Sequence, residues 1–483
     1  MEWFAAEDYH AARFVLQRGI ALMYLVAFVA VLRQFLPLLG SHGLLPVPRY
    51  VERVGSRAGP TIFRWRYSDT LVLMIAWAGV LIAAALVAGL PQSGPPWVPF
   101  LAFAVLYLLY LSVVNVGQVF YGFGWESLLL EAGFLAAFLG SDDVAPPLLV
   151  LLAFRWLLFR VEFGAGMIKM RGDRAWRDLT ALDYHHETQP MPGPLSWFFH
   201  HLPRPLHRVE VAANHVVQLA VPFLLFLPQP IASIAAVLVI ATQLWLVLSG
   251  NFAWLNWLTM LLAFSAVGDD QLAAVLPALT PTLAATPTRA GDLWWVVLVM
   301  VMAAVVAVLA VPPARNLFSR HQAMNASYNR FHLGGAYGAF GSITRVRHEV
   351  VVEGTEQEVP DGGWCEYVFS AKPGPVERLP GQFAPYHLRL DWGMWFLALG
   401  SGAQHRWFSV LLRRLLEADR ATLRLFARDP FDGRAPRWVR ARMFTYRYST
   451  PEERRATGHW WVRSAAREFV EPVGLAQLTP RSE

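Results

Sequence analysis

Pro147-Leu-Leu-Val-Leu-Leu-Ala-Phe-Arg155-Trp-Leu-Leu-Phe-Arg160-Val-Glu162-Phe163 is an apolar run interrupted by three charges. Charges at membrane depth are costly, so they turn toward the interior of a helix bundle and find partners there. Arg155 and Glu162 stand seven residues apart, on one helix face, and Lys169 repeats that interval beyond Glu162. Two readings fit this spacing: a charge ladder that locks helices together, or the polar lining of a functional site. Gly164-Ala-Gly166, just before Lys169, permits close approach of backbone or ligand. A lysine desolvated at that place would be tuned toward base or nucleophile chemistry, which arginine does not offer.

The composition supports a membrane setting. Of 483 residues, 55% are hydrophobic and 16% charged, and the mean hydropathy is +0.37. Soluble domains carry about 25% charged residues, so a wholly soluble chain and a disordered one are both excluded. Outward from the quoted run, stretches of span length fall at Gly19–Leu39, Thr70–Leu90, Val98–Val119, Trp125–Leu139, Val211–Leu227, Pro230–Leu248, Phe252–Val267 and Leu293–Val311. With the quoted run the expectation is nine spans, the one at Trp125 being short and carrying Glu126 and Glu131. The first lacks the basic start and cleavage signal of a removed leader and is expected to be retained.

Cys365 is the single cysteine, which excludes an intrachain disulfide framework and a cysteine metal site. The formal charge is +6, with no basic run pointing to nucleic acid. Lys169 and Lys372 are the only lysines among 41 basic residues, and Lys372 sits in a Lys-Pro-Gly turn without apparent chemistry.

Residues Lys169–Glu210 form a long connection rich in charge, histidine and proline. Trp176, Tyr184, Trp197, Phe198 and Phe199 argue for burial, and an aromatic lid at the membrane interface is expected. Within it, Asp183-Tyr-His-His-Glu-Thr-Gln-Pro190 is followed by His200, His201 and His207. No pair there has the i,i+4 spacing of a helical zinc motif, so no metal is expected. No phosphate loop, dinucleotide fingerprint or other cofactor motif stands out. Asn214, His215 and Gln218 share or nearly share one helix face and read as interhelical glue, while Gln218 and Gln243 are candidates to line a cavity.

Beyond Val311-Pro-Pro313 the hydropathy falls. Residues 314–483 hold 24 of the 41 basic and 17 of the 35 acidic residues, a net +7, against −1 for residues 1–313. The expected fold class is therefore a membrane α-helical bundle (1–313) with a soluble, β-rich α+β domain (314–483). Alternation over Thr344–Val352 and again over His387–Trp392 predicts strands, as does the aromatic-rich Arg437–Tyr448. Phe408–Ala427 reads as helix.

Several strings are similar to the lipase maturation factor family. They are Phe123-Gly-Trp-Glu-Ser-Leu-Leu-Leu-Glu131, Arg155-Trp-Leu-Leu-Phe-Arg160, Gly164-Ala-Gly-Met-Ile-Lys169, Arg171-Gly-Asp-Arg-Ala-Trp-Arg-Asp178, Leu182-Asp-Tyr-His-His-Glu-Thr-Gln-Pro190, Leu195-Ser-Trp-Phe-Phe-His-His-Leu-Pro203, Tyr337-Gly-Ala-Phe-Gly-Ser, Val346-Arg-His-Glu-Val350, Leu388-Arg-Leu-Asp-Trp-Gly-Met-Trp395 and Pro436-Arg-Trp-Val-Arg-Ala-Arg442. The resemblance implies a membrane chaperone, not an enzyme, whose animal relatives sit in the endoplasmic reticulum and help lipases fold. It places the functional motif at Arg155, Arg160, Glu162, Lys169, Asp173, Trp176, Asp178, Asp183, Tyr184, Glu187 and Gln189. In the C-terminal domain it offers Arg389, Asp391, Trp392, Trp395 and Arg440 as client-binding candidates. The implied partners are membrane lipids and a secreted, lipase-like client. The arginine- and alanine-rich style looks bacterial, which implies a plasma membrane.

A shorter resemblance, Gly164-Ala-Gly-Met-Ile-Lys-Met170 with Gly172-Asp and Trp176, is similar to the horizontally transferred transmembrane domain of vitamin K-dependent carboxylases. It implies the alternative of a membrane enzyme acting on a lipid or peptide, with Lys169 as base helped by His185 or His186. An enclosed cavity around Lys169 with convergent polar groups is expected for the enzyme, and a Lys169 paired with Glu162 or Asp173 for the chaperone. The distribution of basic residues places the C-terminal domain in the cytoplasm, whereas the family resemblance implies the opposite side.

Overall fold

Long apolar stretches bounded by identifiable caps build the first part of the molecule. The computed structural model describes residues 3–277, 291–400 and 405–478; residues 278–290 of the Gly268–Gly291 linker, including Arg289, lie outside the described residues. Helix α1 spans His10–Leu39, and its first free N–H groups, at His10 and Ala11, donate to the Asp269 carboxylate at 2.9 and 3.0 Å. Helix α2 (Asp69–Ala88) starts where the Ser68 hydroxyl accepts from Leu71 N and stops at Gly89 in the left-handed conformation. The two helices cross closely, because a Cβ on Gly79 would lie 2.4 Å from the Phe28 ring.

There follow α3 (Trp97–Val116), α4 (Gly124–Ala136), α5 (Leu148–Arg171), α6 (Leu182–Thr188), α7 (Arg204–Leu219), α8 (Ile231–Ser249), α9 (Leu255–Ala263) and α10 (Leu293–Leu309), the last continued by Val311–Phe318.

Among the described residues, five helices are long and apolar enough to cross a membrane: α1, α2, α3, α8 and α10 with its continuation. A sixth candidate is the pair Leu255–Ala266 and Asp269–Val275, bent by 112°. Length and composition thus give five or six candidate spans among the described residues, and the expected nine are not confirmed. The run at Trp125 becomes α4, whose 13 residues reach about 20 Å at 1.5 Å per residue, short of a hydrocarbon core of about 30 Å. The run at Val211 belongs to α7, which starts earlier and ends at Leu219, just before Pro222 and its missing N–H. Helix α5 has 24 residues, yet Arg155, Arg160, Glu162 and Lys169 are all buried within the protein.

The C-terminal part carries a four-stranded antiparallel sheet in the order β2-β1-β3-β4, with β1 Arg347–Thr355, β2 Cys365–Glu366, β3 Trp438–Tyr448 and β4 Trp461–Val473. In register, Val350 faces Met443 and Glu349 faces Phe444. The expected strand at His387–Trp392 is instead the start of helix α11 (Arg389–Ala398). Six alternating residues satisfy a strand pattern, but Met394, Leu397 and Ala398 continue the buried face with helical spacing. Helix α12 (His405–Leu416) and a short turn at Arg420–Leu423 occupy the region read as helical. One hydrophobic core runs unbroken from Phe28, Leu128 and Leu158 to Val350, Trp407 and Met443, so the sheet region is packed directly onto the bundle.

Candidate functional site

Helices α5, α7 and α8 enclose a cavity of about 540 Å³ together with Trp176, Leu182, His185, Phe252 and Phe340. Its walls are mostly apolar. Its polar end is made by Glu162 and Lys169 from α5, Asn214 and Gln218 from α7, and Gln243 from α8. Gly166 makes this possible: a Cβ there would meet Leu219 Cδ2 at 2.7 Å and Gln218 Cβ at 3.0 Å, so glycine lets α7 lie against α5.

Lys169 Nζ donates to Asn214 Oδ1 at 2.8 Å and Gln218 Oε1 at 3.0 Å, and it lies 4.7 Å from the centre of the Trp176 ring. It pairs with neither Glu162 nor Asp173; Asp173 instead caps the turn at Ala175 and binds Arg345 at 2.8 Å. Glu162 Oε1 accepts from Gln243 Nε2 at 2.7 Å, while Oε2, buried, has no hydrogen-bond partner among the described residues.

The ladder expected along α5 is therefore taken apart into separate contacts. Arg155 donates to the Ser265 and Leu225 carbonyls, at 3.0 and 3.2 Å, at the short helical turns that follow α9 and α7. Arg160 forms a buried ion pair with Glu131 and donates to the Gly335 carbonyl at 2.8 Å; Tyr337 donates to the same glutamate at 2.8 Å.

The lid is well tied down. Gln189 donates to Ser249 O at 2.8 Å and Ser196 Oγ at 3.1 Å, and Glu187 accepts from Tyr448 N at 2.7 Å. Arg347 donates to the carbonyls of Glu187, Gln189 and Pro190, bolting β1 to the lid. His185 packs against Phe340 and Phe252, and burial, assisted by Lys169, pushes its pKa down to about 4. His186 sits between Phe199 and His207, and His207 contacts Asp183 at 3.3 Å. Tyr184 stacks under Arg345, and Asp178 forms an exposed pair with Arg174 at 2.9 Å. Among the described residues no group of three His, Cys, Asp or Glu converges as a metal site would.

Comparison with known proteins accounts for both parts of the molecule. The profile of the lipase maturation factor transmembrane domain matches residues 11–274, and that of the lipase maturation factor C-terminal domain matches residues 333–471. The chain belongs to the lipase maturation factor family. It is 38% identical to Bos taurus lipase maturation factor 1 over 98% of this chain and 91% of the relative. Human lipase maturation factor 1 is 38% identical over 97% and 88%, and human lipase maturation factor 2 is 30% identical over 96% and 82%. No solved structure matches. The carboxylase-like alternative finds no support among these relatives, and the cavity at Lys169 is open on one side, not enclosed as that alternative requires.

Two family strings far apart in the chain meet in the interior. Arg389 Nη1 binds Glu126 Oε1 at 2.7 Å, Tyr110 donates to the same carboxylate, and the Arg389 guanidinium lies 3.4 Å from the Tyr121 ring centre. Gln34 donates to His387 O at 2.7 Å and accepts from Arg389 N at 2.9 Å. Burial and the neighbouring Arg389 push the His387 pKa down to about 4. This corrects the client-binding expectation for three residues. Arg389, Asp391 and Trp392 are buried, with Asp391 accepting from Ala371 N at 2.6 Å, so they cannot meet a client directly. Trp395 and Arg440 are half-buried; Arg440 is held by Glu353 at 2.8 Å and stacks on Trp364.

Nothing in the sequence pointed to His387. Glu126 stood out only as a charge inside an apolar run.

Proposed function

We propose that this chain is an integral membrane factor that assists the folding and maturation of a secreted, lipase-like client. One observation carries the reading: the similarity to lipase maturation factor 1 runs through 98% of this chain and 91% of the relative, so bundle and sheet region occur together in both. In this reading residues 1–313 anchor the molecule in lipid, the lid at 169–210 caps the bundle, and residues 314–483 engage the client. The membrane is the plasma membrane of a bacterium, where animal relatives use the endoplasmic reticulum. The C-terminal region faces away from the cytoplasm, because a secreted client is reached only there.

The client contact falls on β4. It is an edge strand of the sheet, and Ser464, Ala465, Ala466, Arg467 and Glu468 along its middle are exposed. An open edge pairs with an extended segment of another chain. A lysine on an edge strand blocks such pairing, and Ala466 is exposed, so a larger side chain fits without repacking. Co-expression with a secreted lipase tests this. Ala466→Lys is expected to lower the specific activity of the secreted lipase several-fold at unchanged membrane levels of the factor. Undiminished lipase activity would remove β4 from the account.

A further inference from the structure

We propose that the cavity between α5, α7 and α8 is a binding site for one neutral membrane amphiphile, an acyl chain bearing a head with both a carbonyl and a hydroxyl, as in a monoacylglycerol. Its volume of about 540 Å³ lies within the range of about 300–1,000 Å³ typical of sites for small ligands.

The mouth opens toward lipid. Leu206 and Val209 on α7 are 51% and 63% exposed, and Ala241 and Trp245 on α8 are exposed beside them. Helix α8 is itself one of the helices able to cross a membrane. An acyl chain can therefore enter sideways from the bilayer and lie against the apolar wall.

The inner end selects the head. Glu162 Oε2, fully buried, lacks a donor, and it accepts the hydroxyl hydrogen of the ligand. Gln218 accepts from Lys169 through Oε1, which leaves its Nε2 hydrogens free to donate at the same polar end. Two of the three ammonium N–H groups of Lys169 have acceptors among the described residues, leaving the third for a carbonyl oxygen. Two carboxyl groups against one ammonium make an anionic head the less favoured occupant. The titratable lining comprises one lysine, the two glutamates Glu162 and Glu210, and His185, whose burial keeps it neutral. A fatty acid anion or a phosphatidate would add negative charge where a carboxylate already lies buried. The assignment involves no covalent step and stands apart from the identity of the client.

Photolabelling of the full-length protein in nanodiscs tests the site. A diazirine-tailed monoacylglycerol is expected to label α7 and α8 saturably, at least tenfold more than a diazirine-tailed fatty acid at equal concentration. Ala241→Trp and Ala213→Trp, both at exposed positions of the mouth, are each expected to cut that labelling at least tenfold while the protein remains monodisperse. Labelling unchanged in both tryptophan variants would overturn the site. Equal or stronger labelling of these helices by the fatty acid probe would overturn the neutral head.

Discussion

Lys169 and Lys372, the two lysines of the chain, are both buried, one beside the cavity in the bundle and one under the sheet. Lys372 Nζ meets Glu349 at 2.7 Å, and Glu349 is also bound by Arg347 at 2.6 Å, so charge is answered by charge. Lys169 is held by the oxygens of Asn214 and Gln218, two neutral amides that can turn, and its nearest carboxylate engages Gln243 instead. The first arrangement is closed and packed; the second leaves donors and acceptors free toward an open volume. Burial alone thus does not separate a structural lysine from one available to a ligand. The partners do.

Removing the shared anion of the closed site is expected to have the largest effect. Glu349→Leu leaves Arg347 and Lys372 buried without their carboxylate, a cost of about 3–5 kcal/mol, seen as a sharp loss of thermal stability in detergent. A transition temperature within a degree or two of the parent would show that the two sites do not differ as described.

Lys372→Met and Lys169→Met sharpen the contrast. The first leaves Glu349 with one cation fewer and is expected to cost about 2–3 kcal/mol. The second removes two charge–dipole hydrogen bonds beside a cavity and is expected to cost about 1–2 kcal/mol. Equal or reversed losses would break the comparison.

Acid acts through buried histidines, of which His185 lines the cavity. Burial holds His185 and His200 in the lid at a pKa of about 4, against about 6.5 in an unfolded chain. The unfolded state binds these protons first, so stability is complete above about pH 6.5 and declines as the pH falls toward 4. His185→Phe is expected to flatten part of that decline in transition temperature; a pH profile identical to the parent would remove His185 from it.

The smallest effect belongs to the exposed pair Arg174–Asp178. Asp178→Ala is expected to cost no more than about 0.5 kcal/mol, and a larger loss in unfolding would give this lid residue a role beyond the surface.

How far such features were legible follows from their range. The seven-residue spacing of Arg155, Glu162 and Lys169 marked α5 as a helix with a polar face, alternation marked β1 and aromatic richness marked β3, because all three are local signals. The partners across that face were not legible. Arg389 and Glu126 are 263 residues apart, and no local pattern announces a pair at that distance. Gln218 and Gln243 stood out as polar residues on apolar helices, yet the meeting of Gln218 with Lys169 depends on the close approach at Gly166, and that of Gln243 with Glu162 on the placing of α8. Lys372 looked like an ordinary turn residue because its carboxylate partner lies on β1, across the fold. The number of spans was not legible for a related reason. Hydropathy does not distinguish a helix buried in protein, such as α4, from one buried in lipid.

A secreted client can be engaged only from outside the cytoplasm, so the side occupied by the sheet region is the point on which the proposed function stands. The direct measurement is a pair of reporters fused after Glu483, one active only outside the cytoplasm and one only inside it. The account predicts activity of the external reporter and silence of the internal one. The opposite result would place residues 314–483 in the cytoplasm and contradict a role in maturing a secreted lipase.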